Sequence, residues 1–393
     1  MRFVFGMALL YMGCSSFCGT PKPTPQEEDP TDRDAAPHAV EGKPRCDSQA
    51  KIALPGAMEL GRARTTGSRV IIGARRKNRA GYVDVDGVTA RFVEVSEVTG
   101  DMPPPLPLES GEKKIFLVGY EGAGKTRHLV ARDAAEPTKA LGELPAEPPD
   151  ESLAFDAALR LDGSIVVAWD APSDDGSAVM ASVIRGGKAS EPARLSPKEV
   201  DADTPRVLAL GPTILAMWIA HRPLPKTDAA APPEGAGQDL DKTWIEMLGF
   251  DDGFHATSPL RHVTPDTGRV TTFDLVNEAP SVPPSIDVVA RDGIEMHAGE
   301  GGTAIVVHVS GPEPGAPVVL ADHVGRGVPL FAKGMALFDG PDGRGRAVFA
   351  DTATPEPALD GARPLAALPQ AQEGRDFLVA SEDGAELRVV RCR

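Results

Sequence analysis

The stretch Leu161-Asp162-Gly163-Ser164-Ile165-Val166-Val167-Ala168-Trp169-Asp170 decides the fold. A polar Asp-Gly turn leads into an unbroken run of apolar residues that ends on an aromatic. After a short polar loop, Ala178-Val179-Met180-Ala181-Ser182-Val183 returns as a second strand. β-branched and aromatic residues fit a pleated backbone, and Asp-Gly is a strong hairpin-turn dipeptide. A run that is apolar without alternation marks a strand covered on both faces.

The same form recurs along the chain. Arg69-Val70-Ile71-Ile72-Gly73 returns as Gly81-Tyr82-Val83-Asp84-Val85, and Lys114–Tyr120 returns as Arg127–Ala131. Thr213–Trp218 returns as Thr243–Leu248, Thr303–His308 as Pro317–Leu320, and Asp376–Ala380 as Glu386–Val390, with a further run at Arg346–Ala350. The first four runs start at Val70, Ile115, Ile165 and Ile214, in steps of 45, 50 and 49. The 91 residues from Ile214 to Ile305 leave room for one degenerate copy near Ser285–Ala298. A period of about 40–50 residues with strands throughout marks an all-β protein, a β-propeller of about seven blades (six to eight), each a four-stranded antiparallel sheet.

Composition agrees. Of 393 residues, 41 are glycine and 38 proline, which suits many tight turns and opposes helices. Hydrophobic residues make up 41%, enough for a core, so general disorder is excluded. The net charge of −16, with no basic run longer than Arg75-Arg76-Lys77, excludes nucleic acid as a partner.

The Leu161–Asp170 copy resembles the repeats of sialidase-like (BNR-type) propellers, which commonly carry an Asp-Gly, an apolar run and a Trp before a second strand. At the level of architecture the resemblance covers Ala50–Cys392. The Asp-box of sialidases, S-x-D-x-G-x-x-W, is absent. A sialidase-type site would need an arginine triad for the substrate carboxylate and a Tyr–Glu pair, and other glycosidases usually need two carboxylates. Only Tyr82 and Tyr120 lie in the domain, both in hairpins, and sugar-stacking aromatics are few. Trp169, Trp218 and Trp244 fall at strand positions and read as core.

After Met1 come Arg2 and the apolar stretch Phe3–Met12, too short to span a bilayer, so residues 1–18 read as an export signal. Cys14 follows Gly13, as in a bacterial lipoprotein signal, where the cysteine is lipidated. Tyr11 departs from that pattern, and a plain signal cleaved near Ser16–Gly19 is the alternative. Residues 19–45, rich in proline and acid without aromatics, read as a disordered tether. Contact with a membrane is then expected through the lipid anchor only, in an envelope-bound or periplasmic/extracellular protein. The domain, residues 46–393, keeps two cysteines at its extreme ends, Cys46 and Cys392. In an oxidising compartment they pair as a disulfide. A strand near Asp47–Leu54 would complete the last blade and make that disulfide a clasp. Segment 221–241, Pro/Gly/Ala-rich, reads as a surface insertion.

The sharpest chemical motif is Gly119-Tyr120-Glu121-Gly122-Ala123-Gly124-Lys125-Thr126, which satisfies the phosphate-cradling G-x-x-x-x-G-K-[ST] and follows an apolar strand. A true P-loop opens a helix. Here Pro137, Pro145, Pro148 and Pro149 leave no room for crossover helices, and Gly119, Gly124, Lys125 and Thr126 read as a hairpin turn. Acidic turns at Asp84–Gly87, Asp174–Gly176, Asp251–Gly253 and Asp339–Gly343 leave calcium as a minor option and otherwise no cofactor. The eight histidines lack zinc-site spacing, although His297, His308 and His323 lie in one or two adjacent blades. No catalytic set and no metal site can be named from sequence. The expectation is a non-enzymatic, envelope-associated binding or scaffolding propeller that takes an unknown protein or small ligand on one face. The alternatives are a sialidase-like or lyase-type enzyme with its site at the channel mouth, and a P-loop nucleotide binder.

Overall fold

The structure is a computed structural model. It describes residues 46–222 and 242–392, apart from 67–68, 99–100, 111–113, 146–152, 175, 267, 278–284, 293–301, 311–312, 325–329, 333–334, 340–344, 350–351, 360–361, 369–375 and 382. These residues belong to one compact unit, Gly42–Arg393. The expected signal, Cys14 and the tether lie outside them.

The chain opens with β1 (Cys46–Ala53). A first sheet follows, built from β2 (Glu59–Thr66), β3 (Arg69–Arg76), β4 (Arg79–Asp86) and β5 (Thr89–Glu97). The second holds β6 (Leu106–Glu109), β7 (Ile115–Glu121), β8 (His128–Asp133) and β9 (Ala140–Glu143). The third holds β10 (Phe155–Leu159), β11 (Ile165–Ser173) and β12 (Gly176–Arg185), its outer edge shared by β13 (Lys188–Ala189) and β14 (Ala193–Arg194). The fourth holds β15 (Asp201–Leu210), β16 (Thr213–Arg222), β17 (Lys242–Phe250) and β18 (Arg261–His262). The fifth holds β19 (Val270–Asn277), β20 (Ser285–Asp292) and β21 (Gly302–Ser310), edged by β22 (Glu313–Pro314) and β23 (Val318–Val324). The sixth holds β24 (Leu330–Ala332), β25 (Met335–Asp339), β26 (Gly345–Phe349) and β27 (Thr352–Leu359). The seventh joins β28 (Ala362–Leu368), β29 (Asp376–Ser381) and β30 (Glu386–Cys392) to β1, so the first strand completes the last sheet.

Alternation within the apolar runs explains how the sheets stack. Along β11, Ile165, Val167 and Trp169 enter a core shared with the second sheet. Val166 and Ala168, pointing the other way, enter a core shared with the fourth. Along β16, Ile214, Ala216 and Trp218 face the third sheet and Met217 and Ile219 face the fifth. Side chains alternate across a strand, so an unbroken apolar run serves two neighbours at once. The first strands stand beside one another in ring order, β28 by β2, β2 by β6, β6 by β10, β10 by β15 and β15 by β19. This is a propeller-type fold, with the first strand of each sheet at its inner edge.

Cys46 pairs in register with Cys392, and the two form a disulfide with a Cα–Cα distance of 4.0 Å. Cys46, Cys392 and Phe377 pack against Met335 and Leu337 of the sixth sheet. The expected closing strand near Asp47–Leu54 is therefore β1.

Three sequence expectations change. The stretch Ser285–Asp292 is not a separate degenerate copy, because β20 pairs with β21 along its length. The 91-residue interval runs from the second strand of one sheet to the third strand of the next. His221 and Arg222, at the start of the expected insertion, belong to β16, and the rest of it, 223–241, lies outside the described residues. Proline serves more than turns. Pro107, Pro205 and Pro364 lie in inner-edge strands β6, β15 and β28, where one side of the strand needs no ladder donor.

Candidate functional site

Four of the inner strands carry charged side chains that meet one another. Arg62 and Arg64 lie on β2, Asp156 on β10, Arg206 on β15 and Asp274 on β19. Backbone irregularities accompany them. The β2 register shifts between Leu60 and Ala63, and the β15 register between Asp203 and Arg206, where Thr204 adopts a φ of 51°. Bulges of this kind re-aim side chains at sheet edges. Gly61 belongs to the β2 bulge, where a Cβ would lie 2.9 Å from the Pro104 Cβ.

Arg62 is the hub. One guanidinium nitrogen donates to Asp156 Oδ1 at 2.5 Å and the other to Asp274 Oδ1 at 2.8 Å. Its partners belong to the third and fifth sheets, neither adjacent to the first, so the side chain reaches across the middle of the ring. Arg206 Nε lies 3.4 Å from Asp274 Oδ1, and its guanidinium carbon sits 5.4 Å from the Phe273 ring centre. Asp156 Oδ2 accepts the backbone N–H of Val207 at 2.9 Å, satisfying an edge donor of the next inner strand. Arg64 donates only to the neighbouring Ala63 carbonyl at 3.4 Å, and has no carboxylate partner among the described residues. Arg363 of β28 donates to the Leu60 carbonyl at 2.6 Å.

Water reaches this cluster. The side chains of Arg62, Arg206 and Asp274 are 24%, 13% and 34% exposed, whereas Asp156 is 2% exposed. Among the described residues, three guanidiniums face two carboxylates, in a chain of net charge −16. Burial opposes ionisation of Asp274, but Arg62, Arg206 and Arg64 outweigh it and hold the carboxyl well below the usual range. Burial likewise opposes the Arg62 charge, and Asp156 and Asp274 overcome it. Burial and the neighbouring Arg62 lower the proton affinity of Arg64 and of Arg206. The set can hold an anion and orient it. It does not offer a protonated carboxyl at Asp274.

The residues singled out by motif lie elsewhere. Gly119 ends within β7, Gly124–Thr126 form a single 3-10 turn, and β8 starts at His128, paired back onto Glu121. No phosphate-binding helix follows. Gly122 has a φ of 84°, and a Cβ there would lie 2.4 Å from the Thr126 carbonyl, so glycine is required by the turn itself. Among the acidic turns, Asp84 pairs with Arg69 at 2.7 Å, and Asp251 accepts the backbone N–H groups of Gly253 and His255. Asp252 joins Arg160 at 2.5 Å and Arg185 at 3.2 Å, tying the third sheet to the fourth. His308 lies on β21, and His297 lies outside the described residues. Trp169, Trp218 and Trp244 are buried, and Tyr82 and Tyr120 are core residues.

Sequence reading missed all five channel residues, because it followed the strong hairpins and passed over the weaker strand before each. The available signal was a charged residue inside that preceding strand, as in Gly61-Arg62-Ala63-Arg64 and Phe273-Asp274.

No protein-family model matches the chain, and no curated protein sequence matches it. Solved structures do. A polysaccharide lyase, a PL25 ulvan lyase, superposes with a TM-score of 0.51 at 10% identity, over 87% of this chain and 94% of the lyase. An α-L-arabinanase of Penicillium chrysogenum, complexed with arabinobiose, superposes with a TM-score of 0.50 at 10% identity, over 88% and 98% of the two chains. At such identity the likeness is one of fold. The expectation of a non-enzymatic binding or scaffolding propeller does not stand. The two solved structures just named, which share the fold, are a polysaccharide lyase and an arabinanase, and three arginines and two carboxylates converge where sequence alone could name no polar set.

Proposed function

We propose that the chain is an enzyme that cleaves carbohydrate at the mouth of a central channel. The observation that carries this reading is the convergence of Arg62, Arg64, Asp156, Arg206 and Asp274 from four inner strands onto one water-accessible point. Inner-edge side chains on a rigid ring are pre-organised, which is what stabilising a charged transition state requires. Arg62 fixes both carboxylates, Arg206 backs Asp274, and Arg64 is the arm left for substrate. The fold shared with a polysaccharide lyase and an arabinanase supports the choice of carbohydrate.

In the same reading each of the seven sheets is one propeller blade. The protein is exported, with Cys14 as its lipid anchor. The Cys46–Cys392 disulfide fits an oxidising compartment, and no helix among the described residues is long and apolar enough to cross a membrane. Large polysaccharides are met outside the cell, so that address suits the activity.

The test is turnover by the purified full chain against a panel of neutral and acidic polysaccharides, read as new chain ends. Wild type should cut at least one. Arg206→Gln should lose about a hundredfold or more in kcat/KM with its melting temperature retained. Failure to cut any member of a broad panel, or full activity in Arg206→Gln, contradicts the reading.

A further inference from the structure

The outermost strand of an antiparallel sheet leaves one row of backbone N–H and C=O groups unpaired, and proteins guard such edges with brevity, charge or proline. Among the described residues, six of the seven outer edges are guarded. β9 has four residues, and β13, β14 and β18 have two each. β1 carries Asp47 and Lys51, β5 carries Arg91 and Glu94, and β27 carries Pro355 and Pro357. β23 differs. It runs for seven residues and hydrogen-bonds β21 and no other strand among the described residues. The stretch Pro314 to Ala321 holds no charged residue. Val318 and Val319 stand opposite Val306 and Ile305 in the ladder and are 57% and 60% exposed. Successive side chains of a strand point to opposite faces, so the edge is bare apolar surface above and below the sheet.

The charge of the edge says what covers it. An edge kept for an oppositely charged partner gains by carrying charge. An edge that meets its own copy across a two-fold axis brings the same patch against itself, so a charge there meets its like. In a chain of net charge −16, self-association is open only where the acid is missing, as it is from Pro314 to Ala321. Antiparallel pairing is also self-complementary, because two identical strands related by a two-fold axis satisfy each other's free donors and acceptors.

We propose that β23 is a dimer edge. Two copies of the chain pair β23 with β23, antiparallel, so that the two fifth sheets join into one and Val318 and Val319 of each chain are covered by the other. The pairing does not depend on the enzyme reading.

The experiment is sedimentation velocity of the purified full chain from about 1 to about 100 µM, since mass action makes a dimer concentration-dependent. Wild type should reach a two-chain species within this range. Val319→Lys places a lysine on the edge, as guarded edges do, and should raise the dissociation constant about tenfold or more. Because that side chain is exposed, the variant should melt as wild type does. Gln49→Lys, the same kind of change on the guarded strand β1, should leave the dimer as it is. Wild type that is a single chain throughout, a dimer indifferent to Val319→Lys, a dimer lost equally in Gln49→Lys, or open-ended assemblies in place of two chains overturns the proposal. A single chain that binds a synthetic peptide of the sequence Pro317–Val324 assigns the edge to a foreign strand and likewise overturns the pairing of two copies.

Discussion

Arg62 and Asp156, 94 residues apart in the chain, meet at 2.5 Å across the ring, with the whole second sheet lying between their strands in sequence. The contact makes the channel cluster part of the framework as well as a candidate site. Removing one partner of an enclosed ion pair strands the other charge. Arg62→Met should therefore cost about 2–4 kcal/mol, with water access to the channel keeping it toward the lower end. Denaturant titration of the two proteins checks this, and a loss below about 0.5 kcal/mol would show the bridge to be incidental.

Acid should weaken the fold through carboxyls held below their ordinary range. Asp274 is kept ionised by Arg62, Arg206 and Arg64 against burial, and Asp162 is lowered to about 2 by the hydroxyl and backbone N–H of Ser164. The unfolded chain binds protons at these groups first as the pH falls. Their stabilisation is complete above about pH 5 and drains away as the pH drops through about 4 toward Asp162's folded value of about 2. Asp162→Asn should be less stable than wild type at neutral pH and converge with it near pH 2. Parallel stability curves would contradict the assignment.

The ring clasp should matter most to the seventh sheet. Cys46 and Cys392 are separated by 346 residues, so their bond restrains nearly the whole unfolded domain. Cys392→Ser, or reduction, should cost about 3–5 kcal/mol on loop-closure grounds. Hydrogen exchange should show the β1 amides losing protection first. Equal melting temperatures with and without reductant would mean that the β1–β30 ladder closes the ring unaided.

Between the third and fourth sheets lies a carboxylate with no lysine or arginine against it among the described residues. Glu246, 3% exposed, accepts Trp218 Nε1 at 3.0 Å and Trp244 Nε1 at 3.1 Å. Its basic neighbour among the described residues is His262, with Nε2 at 3.6 Å. Glu246→Ala leaves two indole donors in an apolar interface and should cost about 2–4 kcal/mol, with a change in tryptophan emission that reports the loss locally. An unperturbed emission spectrum in the folded variant would argue against the contact.

How far the molecule is legible from sequence follows from where its hydrophobic surface lies. The second and third strands of the third and fourth sheets are buried on both faces, so runs such as Ile165–Trp169 and Ile214–Trp218 announce themselves. The terminal cysteines and the closing strand also follow from spacing, because a ring must return to its start. Inner strands are different. They expose an edge to the channel, admit proline as at Pro205, and carry charges that look like loop residues when read alone. Arg62 and Asp274 lie 212 residues apart and meet only because the ring folds them together. No spacing rule finds such a pair. The P-loop lookalike shows the reverse case, where local spacing is perfect and the surrounding hairpin withholds the helix that would give it meaning.

The most direct test of the central claim is the initial rate of polysaccharide cleavage by the full chain, wild type against Arg206→Gln, on the member of the panel cut fastest and at matched melting temperature. The account predicts measurable wild-type turnover and a loss of about a hundredfold or more in the variant. Equal rates in the two proteins, or no cleavage of any polysaccharide by wild type, would contradict it.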